Sequence, residues 1–144
     1  MGQKWDNYDV AKCLKYNQGL IDDIIDAGWK MNFLRLHMDP YWSNSPGIHV
    51  EGENDISAFD FNRFKTYLDR VFIPMAEYAV SKGLYVVMRP PGVCPEKIAV
   101  GDEYNQYLIK VWTHVAQHPK LKNHPNIMFE PVSYTHLTLP TIRL

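Results

Sequence analysis

Three short apolar runs, each placed after a stretch of helical spacing, constrain this 144-residue chain more than anything else in it. They are Met31 to His37, Leu84 to Met88 and Asn126 to Glu130. The spacing predicts a first helix over Asn17 to Ala27, with Leu20, Ile21, Ile24 and Ile25 on one face and Asp22, Asp23 and Asp26 on the other. Asp9 to Tyr16 reads as a preceding helical turn, and Gly28 fits a C-terminal cap. A second helix follows a cap at Asp60, with Phe61, Phe64, Leu68, Val71, Phe72, Met75 and Ala79 in one stripe and Gly83 at its end. Pro74 should kink it, because proline removes a donor and crowds the preceding turn. A third helix covers about Asp102 to Gln117, with Tyr104, Tyr107, Leu108, Val111, Trp112 and Val115 inward.

Strands alternating with helices imply an α/β fold: a parallel sheet with helical crossovers. The near-continuous apolarity of Met31 to His37 predicts a strand buried on both faces. Arg89-Pro90-Pro91-Gly92 should stop the second strand, since proline cannot donate to a ladder. Two architectures remain. An open doubly wound sheet often carries a glycine-rich first turn, and neither G-x-G-x-x-G nor a phosphate loop occurs here. A (β/α)8 barrel gathers its chemistry after the C-terminal strand ends. Arg35, His37, Tyr41 and Trp42 follow one strand and Arg89 the next, which favours the barrel. The long connection from Met38 to about Phe59 also reads as functional, since such loops in compact domains usually are.

Composition narrows the function classes. Apolar content of 46% and charged content of 22% fit a globular chain. A net charge of -1 offers no basic field for nucleic acid. No apolar run is long enough to span a bilayer, and no signal-peptide apolar region follows Met1 to Trp5. Cys13 and Cys94 lack metal-site spacing and read as two thiols. Aromatics at 13% suit either sugar stacking or core filling.

Two segments carry a family resemblance. Asn32-x-x-Arg35-Leu36 resembles the N-x-V-R-I signature, and Asn123-His124-Pro125-Asn126-Ile127-Met128-Phe129-Glu130 is similar to N-H-P-N-I-x-F-E-L-x-N-E-P, both of glycoside hydrolase family 5. The resemblance spans most of Asn17 to Glu130 and is specific around Arg35 and Glu130. It implies a (β/α)8 barrel, of which this chain holds roughly strands two to four. It also implies an O-glycosyl hydrolase acting with retention on a β-linked polysaccharide or oligosaccharide, such as an endo-glucanase or mannanase substrate. No cofactor or metal is implied. Such enzymes use two carboxylates about 5 Å apart, one a proton donor and one a nucleophile.

Carried onto this sequence, the resemblance makes Arg35 the arginine that keeps the nucleophile ionised, and Glu130 a supporting residue. The alternative for Arg35 is a structural arginine bound to strand carbonyls. His37, Tyr41 and Trp42 are candidates to line a glycan cleft by hydrogen bonding and stacking, and Arg89 to bond a sugar hydroxyl or a carboxylate. Purely structural roles stay open for His37 and Arg89. The family's histidine-containing run at the third strand end is missing, with Arg89 in its neighbourhood, so the substrate subclass is not given. The resemblance implies export, to a secreted or periplasmic location, which nothing in the chain encodes.

The proton donor of N-E-P would fall at position 134, where this chain has Tyr134. Val132 to Thr141 back-translates as GTC TCT TAT ACA CAT CTG ACG CTG CCG ACG, which resembles a transposase-type sequencing adapter. The expectation is a catalytic domain cut after residue 130, a non-native tail over 131–144, and no catalytic carboxylate present. The competing expectation is a small open α/β module that holds sugar through the loop from Tyr41 to Gly52 without cleaving it. A natural C-terminal strand, from the alternating Leu137-Thr138-Leu139, is the alternative for the tail.

Overall fold

In a computed structural model of the chain, the structure describes residues 9–38, 59–91, 97–132 and 136–137. Helix α1 (Val10–Asp26) begins at Asp9, whose carboxylate accepts from the Lys12 backbone N–H. The cap satisfies one of the donors a helix start leaves open, and the expected preceding turn is simply the first part of this helix. The buried stripe is Cys13, Asn17 and Ile21, four residues apart. Leu20 and Ile24, expected inward, are exposed. They flank that stripe rather than lie on it, and the helix packs on α3 along a narrower seam. Asp22, expected on the solvent side, is drawn to the same seam. It accepts from the Tyr78 hydroxyl at 2.6 Å and pairs with Lys82 at 2.7 Å.

The second helical segment has three parts: α2 (Phe61–Tyr67), a π-helical turn (Leu68–Phe72) and α3 (Ile73–Ser81). Asp60 caps it by accepting from the N–H groups of Asn62 and Arg63. The expected kink at Pro74 takes the form of that π turn, in which the Ile73 N–H reaches back to Leu68. A wide turn makes room for the proline ring and removes the need for its missing N–H. Leu68, Val71, Phe72 and Ile73 are all buried at this place. Helix α4 (Glu103–Gln117) starts at Asp102, which accepts from Asn105 N–H, and buries Tyr104, Tyr107, Leu108, Val111 and Val115. Gly28 and Gly83 take positive φ after α1 and α3, where a side chain would be strained.

Three strands, β1 (Phe33–His37), β2 (Tyr85–Arg89) and β4 (Ile127–Phe129), form a parallel sheet in the order β1-β2-β4. Phe33 to His37 stand opposite Tyr85 to Arg89, and Val86 to Met88 opposite Ile127 to Phe129. Residues in register share a face. Leu36, Val86, Met88 and Ile127 point one way, into a core shared with the buried residues of all four helices. The other face is different. It shows Phe33 at 55%, Tyr85 at 46% and Met128 at 47% exposure, so the expectation of a strand buried on both faces fails.

A second pairing was not expected from the sequence. Strand β3 (Lys97–Ile98) lies parallel to β5 (His136–Leu137), with Lys97 opposite His136 and Ile98 opposite Leu137. It is separate from the main sheet. The pairing covers two residues on each strand and is made by backbone groups.

Candidate functional site at the strand ends

The face that exposes Phe33, Tyr85 and Met128 carries charged residues at its C-terminal end, where they are half-buried. Arg35 on β1 stands opposite Val87 on β2, which stands opposite Met128 on β4. Glu130 comes two residues after Met128, so its side chain returns to the face of Arg35. Its N–H still donates to the Met88 carbonyl at 2.9 Å, which continues the ladder and fixes its position. Arg35 therefore reaches across β2 to grip Glu130 in a two-pronged contact. Nε donates to Oε2 at 2.6 Å, and Nη2 donates to Oε1.

This forked geometry suits guanidinium and carboxylate, and it orients both groups as well as attracting them. The side chains are 30% and 23% exposed, so the pair is partly shielded from water. Arg35 has met its need for a partner through a residue 95 positions away. Sequence reasoning singled out both residues but not their union. The pairing follows from strand order and register, which no local motif encodes.

His37 and Arg89 are in register at the C-terminal ends of β1 and β2, on the same face as Arg35, and both are half-buried. The Met38 N–H donates to the Arg89 carbonyl at 3.2 Å and carries the ladder one residue further. Four of the six expected site residues thus gather at one end of one face. Tyr41 and Trp42, with the rest of the expected aromatic loop, lie outside the described residues, as does Cys94. Cys13 is a buried thiol in α1, distant in the fold from the strand ends.

Two helix contacts hold the strand ends in place. The Tyr107 hydroxyl donates to the Pro91 carbonyl at 2.6 Å in a buried contact, which anchors the chain as it leaves β2. Trp112 packs on Phe129 with ring centroids 5.5 Å apart, and its Nε1 donates to the Pro131 carbonyl at 2.9 Å. Trp112, expected to point inward, is half-buried and serves the end of β4 instead. Neither anchor was legible in the sequence beyond the inward spacing of α4.

Glu130 is the carboxylate on this face among the described residues, so they contain no acid pair of the kind glycoside hydrolysis uses. Among the described residues there is also no cluster of three or more His, Cys, Asp or Glu positioned for a metal ion, and no helix is long and apolar enough to cross a membrane. A cavity of about 510 Å³ lies beside α1, lined by Lys12, Cys13, Tyr16 and Asn17 among others, away from the strand ends. It has no contact with the charged group described above. No family model, no curated protein and no solved structure matches this chain.

Proposed function

We propose that residues 1–130 are the front part of a retaining β-glycan hydrolase catalytic domain, holding about strands two to four of a (β/α)8 barrel, and that residues 131–144 are adapter-derived. The observation that carries this reading is the Arg35–Glu130 pair at the C-terminal strand ends, on the sheet face that no helix among the described residues covers. In a barrel the helices cover the outer face only, and the inner face bears the chemistry at those strand ends. A doubly wound sheet would have helices on both faces. The sequential strand order and the one-sided core therefore favour the barrel.

On this reading Arg35 is the cation set to hold a nucleophilic carboxylate in its charged form, as a nearby positive charge does. Glu130 keeps that guanidinium oriented. His37 and Arg89 stand beside them as hydrogen-bonding groups for a sugar ring, with Tyr41 and Trp42 as stacking partners. The acid/base and nucleophilic glutamates belong to segments this chain lacks, so the polypeptide is inert. The β3–β5 pairing is compatible with a foreign tail, because it is made by backbone groups at two residues per strand.

The test is to recover the uninterrupted gene and assay both proteins on β-linked glucans and mannans. The proposal expects hydrolysis with retention from the restored enzyme and none from the 144-residue chain. Calorimetric binding of cello- or manno-oligosaccharides by the short chain, with continuous genomic DNA encoding residues 131–144, would replace the proposal with a non-catalytic sugar-binding module.

A further inference from the structure

Away from the strand ends, α2, the π turn and α4 meet around a group of ionisable side chains. His114 on α4 is half-buried against two α2 rings, with centroids 5.6 Å from Phe61 and 6.0 Å from Phe64. Phe61 already has two ammonium groups over its ring, Lys65 at 5.2 Å and Lys110 at 4.5 Å. One helical turn beyond His114 is His118, with ring centroids 6.3 Å apart. His118 Nδ1 faces the Lys120 backbone N–H at 3.2 Å and must accept there, so Nε2 carries the proton toward Asp69 Oδ1 at 3.0 Å. Lys120 in turn reaches Glu77 on α3 at 3.0 Å.

We propose that His114 is a proton-sensitive latch between α2 and α4, closed when the imidazole is neutral and loosened when it is charged. The argument is one of crowding. A proton on His114 adds a positive charge beside Phe61, whose ring already carries the ammonium groups of Lys65 and Lys110, while Asp69 on the π turn is already engaged by His118. The ring is also packed against Phe61 and Phe64, where a charged imidazole loses hydration. Burial, then the neighbouring His118, holds the His114 imidazole below its ordinary range, and Asp69 and Lys65 act in opposite senses behind them. A depressed folded-state value means that the stabilisation is fully present above the unfolded histidine value of about 6.5. It is lost as pH falls through the folded value. Asp69–His118 and Glu77–Lys120 would then hold the C-terminal end of α4 while its middle loosens. Because α4 leads into β4 and its Trp112 packs on Phe129, the loosening reaches the strand that precedes Glu130.

Hydrogen exchange of the full chain, corrected for intrinsic pH dependence, tests this with α1 as internal reference. Protection of α4 relative to α1 should fall several-fold between pH 7.5 and pH 5.5, and in His114→Gln that change should vanish. Should His114→Gln lose its helical content, His114→Asn and a direct NMR titration of the His114 ring take its place, with a midpoint below that of a free imidazole expected. A protection ratio independent of pH in the unaltered chain, or the same fall in a folded His114 variant, overturns the proposal.

Discussion

Arg35 and Glu130 hold each other across a strand to which neither belongs, so each depends on the other for the burial of its charge. Arg35→Met should destabilise the sheet by about 2 kcal/mol, because Glu130 then sits partly shielded without its cation. The double substitution Arg35→Met with Glu130→Gln should recover roughly half of that loss, since no unpaired charge remains. Proteolysis rates of the native chain measure both. Asp22 supplies a second case. Lys82 and then Tyr78 hold its carboxyl below the ordinary range, so its contribution is complete above the unfolded value of about 3.9 and disappears as pH falls through the folded one. Acid should therefore free α1 from α3 below about pH 4, seen as faster amide exchange in α1, and Asp22→Asn should remove that step. Single residues with local jobs were partly readable in advance: Asp60 stood out as a helix cap because a short carboxylate before a helical stripe can do little else, whereas Asp102 marked only the start of its helix and its capping role came from the structure. Arg35 was singled out through the strand signature around it. Which partner it takes depends on register, and that information is spread over three strands.

Among the elements, α4 does the most to position the strand ends, through Tyr107 on one side and Trp112 on the other. Tyr107→Phe keeps the ring in the core but leaves the Pro91 carbonyl buried without its donor, a loss of about 1–2 kcal/mol. Amide exchange at Met88 and Arg89 should rise while that in α1 stays unchanged. The helices were legible because a stripe such as Phe61, Phe64 and Leu68 is a one-dimensional signal. The π turn was only half legible. Pro74 announced a disturbance, but the choice of a widened turn over a bend is made by the fit of Leu68, Phe72 and Ile73 into the core. The same limit applies to β1, whose apolar residues looked buried because sequence records that a side chain is apolar and not what stands over it.

For the whole molecule, the sheet has helices on one side and Phe33, Tyr85 and Met128 bare on the other. Apolar area of that kind, beside the edges that β1 and β4 leave unpaired among the described residues, promotes association. The chain should sediment as a concentration-dependent mixture or unfold without a sharp transition, and a monomer with cooperative thermal unfolding would contradict this. Phe33→Lys with Met128→Lys should shift the mixture toward monomer without loss of helical signal, since exposed substitutions cost the fold little. The α/β class could be anticipated from alternation alone, whereas the strand order and the exposed face could not. The pairing of Lys97–Ile98 with His136–Leu137 has a practical outcome of its own. Whatever extended peptide is spliced behind Val132 will find a short rail waiting for it, so an appended reporter with strand-forming residues will lie down along that rail, and a glycine-serine spacer will swing clear.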